Sequence, residues 1–310
     1  MINQQVALLR REIWEHRSIW VTPAAVAAVI TLLAVAMVVA IGAFGEAMNA
    51  DLGKIADMTA PDNVRRAALS ASLVGNSTVF LIAMWFLIVF YCLDALYAER
   101  KDKSILFWRS LPITDAETVV SKLVVVFLAI PIATFAAVVV SHLLNLAIVS
   151  IWLATEDANP GRMIWGAVPL LDTWGAMLTV LIALPIWMAP LIGWFLFVSA
   201  WAKRGPLLRA TLPIATLPIL EYIVFKSWNL GEAILTRMRL DAMPIFDGIK
   251  QFGAGFDEDD VQSMLAENIS LVSWLDYRSF LTSIEVWAGL LVCGLFAGAA
   301  IWLRRYRDDS

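Results

Sequence analysis

Long charge-free stretches divide this chain. Ser18–Gly45 contains no Asp, Glu, Lys or Arg, and neither do Ala67–Leu93, Leu123–Thr155 and Thr173–Ala202. A fifth apolar run, Leu207–Phe225, holds Arg209 near its start and Glu221 near its end, and a sixth, Val286–Leu303, is again charge-free. About 20 apolar residues cross a ~30 Å hydrocarbon core as a helix. Lipid offers no partner to backbone N–H and C=O groups, so such runs satisfy them internally by becoming helices. The pattern therefore predicts an all-α membrane protein of six transmembrane helices. The third run exceeds what a bilayer needs, so it tilts or extends beyond the membrane. Pro185 and Pro190 predict a kink in the fourth, and Pro213 and Pro218 another in the fifth.

The polar intervals carry their own periodicity. In the arm 1–20, Ile2, Val6, Leu9, Ile13 and Trp20 recur at helical steps with Arg10, Arg11, Glu12 and Glu15 largely between them, the pattern of an interfacial amphipathic helix. The first apolar run begins too late and is too long for a secretory leader, so it reads as a retained span. Glu46–Asn76 is polar, with Pro61-Asp62-Asn63 as a turn or helix start. In the segment 229–280, Gly231–Leu240 and Val261–Ile269 read as helical, and the whole segment as a small lid on the membrane face. The acidic run Asp257-Glu258-Asp259-Asp260 lacks the alternating ligand spacing of a calcium loop, and reads as a helix start with a solvated face. These intervals amount to one membrane domain over 1–310, with no separate soluble domain.

Composition narrows this further. Of 310 residues, 60% are hydrophobic and 16% charged, against about 25% charged in soluble domains. Cys92 and Cys293 lie inside apolar runs and read as small buried hydrophobes, and two histidines make no metal cluster. No basic, aromatic-interleaved patch points to nucleic acid. The bases concentrate in four segments: Arg10, Arg11 and Arg17; Arg100, Lys101, Lys103, Arg109 and Lys122; Lys203, Arg204 and Arg209; and Arg304, Arg305 and Arg307. With six spans these fall on one side, which predicts that both termini are cytoplasmic.

The most specific wording follows the second run, YAERKDKSILFWRSLPITDAETVVSKL over Tyr97–Leu123. Pro112 lacks an N–H and turns Leu111 away from helix, while Thr114-Asp115 can cap the helix that follows. A short helix over Ser104–Ser110 is predicted, carrying Phe107 and Trp108. Such a helix can dock into a groove on a soluble partner. It can equally be an interfacial connector with snorkelling bases.

This wording resembles the type-2 ATP-binding-cassette export permease family. There the second span is followed by Glu-Arg, a Ser or Thr with an apolar run, Ser-Leu-Pro, and a Lys before the third span. Here these are Glu99-Arg100, Ser104-Ile105-Leu106, Ser110-Leu111-Pro112 and Lys122. The family often has Gly-Thr where this chain has Lys103-Ser104. Six spans, an N-terminal interfacial helix and a large loop before the last span also match its plan. The resemblance implies that 97–122 is a cytoplasmic coupling loop, with Glu99, Arg100, Lys103, Phe107, Trp108 and Arg109 serving a partner ATPase. It implies two ATPase copies carrying ATP and Mg, a second permease copy or homologous permease, and a bacterial inner membrane. The chain has no G-x-x-x-x-G-K-[ST] phosphate loop, so it is expected to be no enzyme and to hold no cofactor itself.

Several intramembrane polar residues stand out. Glu221, behind Pro213 and Pro218, either lines a path or gate or pairs near the external interface with Lys226 or a neighbouring span. Asp94 is expected to pair with Lys122 or Arg209, or to cap a helix. His142 and Asn145, one turn apart, make either a polar relay or interhelical hydrogen bonds. Gly294 and Gly298 form a G-x-x-x-G that permits close packing within the chain or between chains. Two other functions compete with transport: a non-transporting scaffold or sensor, and a membrane-embedded enzyme using Glu221, His142 and Asp94. The enzyme reading lacks any clustered acid–base motif.

Overall fold

The computed structural model describes residues 2–44, 62–103, 113–155, 159–248 and 270–306. The described residues form helices and connecting turns, with no strand among them. Helix α1 (Ile2–Glu15) turns at His16-Arg17 into α2 (Ser18–Phe44). Next, α3 (Asp62–Ala95) breaks at Leu96 and resumes as α4 (Tyr97–Lys101). Helix α5 (Asp115–Val124) passes through one π turn, Val125–Ala129, into α6 (Ile130–Thr155). Then follow α7 (Leu170–Trp187), α8 (Ala189–Trp201), α9 (Pro206–Phe225), α10 (Asn229–Met238), α11 (Tyr277–Thr282) and α12 (Ile284–Tyr306).

Six helical stretches among the described residues are long and apolar enough to cross a membrane: Ser18–Ala40, Ala68–Lys101, Asp115–Thr155, Leu170–Trp187, Pro206–Phe225 and Ile284–Tyr306. The protein is an all-α membrane protein, as the charge-free runs predict. The third stretch begins at Asp115, eight residues before its apolar run, because Thr114 starts the helix there. Its hydroxyl accepts from the Glu117 N–H at 3.1 Å while the Glu117 carboxylate accepts from the Thr114 N–H at 2.8 Å. This reciprocal capping box satisfies two otherwise orphaned donors.

The fourth apolar run is two helices rather than one kinked span. Helix α7 ends at Trp187 and α8 restarts at Ala189. Pro190 then falls in the first turn of α8, where its missing N–H costs nothing. Helix α8 runs beside α12, with Gly193 against the Cys293 backbone. Helix α9 continues through Pro213 and Pro218 as one helix.

One apolar core joins these helices through Phe80, Met84 and Ile88 of α3, Trp187 of α7, and Ile192 and Leu196 of α8. The segment between α9 and α12 contributes to that core: Met243, Ile245 and Phe280 are buried in it. The described part of that segment thus packs apolar residues against the bundle core. Helix α10 covers Asn229–Met238, close to the predicted Gly231–Leu240. The predicted helices at Ser104–Ser110 and Val261–Ile269 and the acidic run 257–260 lie outside the described residues.

His142 ties three helices together. Its Nδ1 accepts from the Trp174 indole of α7 at 3.3 Å, and its Nε2 lies 3.2 Å from the Ser77 hydroxyl of α3. That hydroxyl already donates to the Leu73 carbonyl at 2.8 Å, so Nε2–H is the donor to it, fixing one neutral tautomer. Asn145 reaches Ser141 of its own helix at 3.5 Å. Among the described residues the pair provides interhelical bonding through His142.

Candidate functional site

Residues from three of the four basic segments of the sequence meet at one end of the bundle, and there they bury charge. On α1, Leu8 and Glu12 share the face turned to the protein, and Glu12 is fully buried. Lys122, on the last turn of α5, reaches both Glu12 oxygens at 3.0 and 3.1 Å and Glu99 Oε1 at 3.0 Å. Glu99, on α4, takes Arg304 Nη1 of α12 at 2.5 Å on its other oxygen. Arg304 Nε bonds Asp115 at 2.7 Å. Arg11 of α1 lies 3.4 Å from Glu99 and 3.0 Å from Glu15. The Tyr91 hydroxyl of α3 donates to Glu12 at 3.0 Å. Glu12, Glu99, Lys122 and Arg304 are each more than nine-tenths buried.

Burying a charge without a partner is costly. Here Glu12, Glu99 and Asp115 answer Arg11, Lys122 and Arg304, so the balance holds only when α1, α4, α5 and α12 are assembled together. Both roots of the 104–112 segment, α4 before it and α5 after it, are fastened by this network. Helix α8 is fastened from the same place. Arg100 donates to the Ser199 and Ala202 carbonyls at 2.5 and 2.9 Å, a cation at a helix C-terminus. In return the Ser199 hydroxyl accepts from the Leu96 and Tyr97 N–H groups at 3.0 and 2.9 Å, which the break before α4 would otherwise orphan.

Glu99 and Arg100 therefore face inward. Lys103 is exposed and takes φ 58° just past the end of α4. Glycine occupies that left-handed position without strain, which gives a physical reason for the glycine of the family wording at this place. Phe107, Trp108 and Arg109 lie outside the described residues. Among the described residues no three His, Cys, Asp or Glu side chains converge as metal ligands would.

At the far end of α9, the Glu221 carboxylate accepts from the Ser227 hydroxyl at 2.8 Å and from the Asn229 and Leu230 N–H groups at 3.1 and 2.8 Å. It thus caps the first turn of α10, a favourable place for an anion. Lys226 lies over the Tyr222 ring instead of pairing with it. Pro218 is buried and Pro213 half-buried on the same helix. Arg237 of α10 stacks 4.1 Å from the Trp187 ring and donates to the Trp187 and Glu285 carbonyls at 2.9 and 2.6 Å. It locks α10 to the α7 end and to the start of α12. Sequence reasoning missed Glu12, Arg304 and Arg237 because each looks like an ordinary solvated charge.

His16 sits at the α1–α2 turn, edge-on to Tyr91 at 4.8 Å and 3.8 Å from Glu12. Burial lowers its pKa from the ordinary value, with Glu12 opposing. The unfolded chain therefore binds a proton more readily, and stability contributed by this group is present above about pH 6.5 and lost as pH falls below it. Melting curves at pH 7.5 and 5.5 should show a larger acid loss for the wild type than for His16→Asn. Equal losses would remove His16 from the account.

Residues 67–160 match the family described as ABC-2 family transporter protein. The match runs from within α3 through the end of α6, and takes in Glu99, Arg100, Asp115 and Lys122. It supports an ABC-2 type permease, a multi-pass membrane subunit of an ABC-type transporter. Glu12 and Arg304 lie outside the matched segment, although they complete its ion network. No curated protein and no solved structure matches the chain.

Proposed function

We propose that this ABC-2 type permease is the membrane half of an exporter, driven by ATP hydrolysis on a separate ATPase chain. The observation that carries the proposal is the buried network that fastens both roots of the 104–112 segment to α1 and α12. A loop that transmits force needs rigid roots, since slack there would absorb the displacement. In this reading Phe107, Trp108 and Arg109, with exposed Lys103, meet the ATPase. Glu99 and Arg100 act through the elements they hold. Two ATPase copies bearing ATP and Mg, and a second or homologous permease copy, complete the assembly in an inner membrane, with both termini cytoplasmic. Helix α9, with Glu221, Pro213 and Pro218, borders the path or gate.

Purification of the tagged chain from its native membrane, with mass spectrometry, tests the partner. A stoichiometric protein carrying a phosphate-binding loop is expected. Its reproducible absence beside an intact, folded permease would shift the reading to a scaffold or an ATP-independent activity. In the reconstituted complex, Phe107→Ala with Trp108→Ala should leave the permease folded and ATP hydrolysis measurable but no longer matched by transport. Unchanged transport per ATP would remove these residues from coupling.

A further inference from the structure

A pocket of about 640 Å³ opens between the turn from α1 into α2, the later part of α3 and the start of α9. That volume lies within the range of small-molecule sites. Its walls include Phe86, Leu87, Phe90 and Leu207, and its polar lining includes His16 and Asp94. Asp94 is exposed, and it makes no hydrogen bond or ion pair among the described residues. The partners expected for it are engaged elsewhere: Lys122 holds Glu12 and Glu99, and Arg209 lies over the Trp201 ring. An exposed carboxylate without a described partner, set beside apolar walls, is available to pair with a bound cation.

We propose that this pocket binds a cationic amphiphile, its positive centre at Asp94 and its apolar body along Phe86, Leu87, Phe90 and Leu207. No Lys or Arg lines the pocket, so an anionic head finds no partner there. Burial keeps His16 below its ordinary value, so the one lining base is neutral at pH 7. Phe86, Phe90 and Tyr97 line the pocket, and aromatic rings attract a diffuse cation. The proposal deepens the permease reading only in naming the cargo class; the binding itself stands on the pocket.

The test uses the full chain in nanodiscs of zwitterionic lipid, with radiolabelled tetraphenylphosphonium as probe and empty nanodiscs as background. Saturable binding is expected, weakened about tenfold or more by Asp94→Asn, as for the loss of a charged partner, and restored by Asp94→Glu. Leu207→Lys, which adds a cation to the wall without touching Asp94, should also abolish it. Tetraphenylborate has the same shape and opposite charge and should not compete. Equal binding by Asp94→Asn and wild type overturns the proposal. So does tetraphenylborate competing as well as the phosphonium itself, which would make the pocket an apolar surface open to lipid. The assay needs no ATPase. Failure here alongside successful co-purification removes the cargo class and leaves the permease. Asp94-dependent binding without any ATPase partner leaves the site and removes the exporter.

Discussion

Replacing Lys122 with Met should destabilise the protein by about 3–5 kcal/mol, the range for breaking a buried ion pair by deleting one partner. The Lys122 ammonium lies between two carboxylates, 3.0 Å from Glu12 and 3.0 Å from Glu99. Without it Glu12 keeps the Tyr91 hydroxyl, and Glu99 keeps Arg304 and Arg11. The two acids then share a dry site with one cation fewer. A lower melting temperature and poorer recovery as a monodisperse peak in detergent would be the readout. Lys103→Met, an exposed change of the same chemistry, should move neither. Glu12→Gln on the Lys122→Met background should recover part of the loss, because it removes the stranded charge. Strict additivity of the two changes would show that they are not coupled.

That network explains what sequence patterns can and cannot disclose. Hydropathy locates spans because lipid imposes one rule on every residue of a run, so the six apolar stretches are legible. The Thr114 cap is legible because Thr-x-x-Glu is a local signal with a local mechanism. Helix α1 is legible as a helix, but not the face it buries. Its apolar stripe includes Val6, which is exposed, while Glu12 is buried. Little within the arm marks Glu12, because its hydrogen-bond partners Tyr91 and Lys122 come from other helices. Arg304 is likewise one of several tail bases until α12 places it against Glu99 and Asp115. Lys122 carried a trace of signal as a lone base at the edge of a long apolar run.

The division of the fourth span was half legible. Two prolines announced a disturbance, but a kink and a clean restart at Ala189 differ only in where the missing N–H falls. In the segment after α9, mixed polar and apolar residues do not disclose which of them pack inward. Buried Met243, Ile245 and Phe280 show that its apolar members were the informative ones. Asp94 illustrates the reverse case, since a carboxylate at the end of a span invites a basic partner and no described residue pairs with it.

The second large effect concerns glycines of opposite kinds. A Cβ on Gly193 would sit 2.7 Å from the Cys293 Cα and 3.0 Å from its carbonyl oxygen. Both atoms are backbone, so no side-chain rotation can make room, and α8 must move away from α12. Overpacking of this sort costs about 1–3 kcal/mol for small additions, so Gly193→Ala should be clearly destabilising and Gly193→Leu should leave little folded protein. A Cβ on Gly294 or Gly298 would meet nothing within 4 Å. Among the described residues the G-x-x-x-G makes no close approach, whereas Cys293 on the same helix lies against Gly193. Glycine in a helix interior is less favourable than alanine by about 0.5–1 kcal/mol, so Gly294→Ala and Gly298→Ala should raise the melting temperature slightly. The sign therefore separates two uses of small residues. If the two alanines instead lower stability in a concentration-dependent way, that face of α12 is covered by a second copy, and its close packing belongs to the assembly.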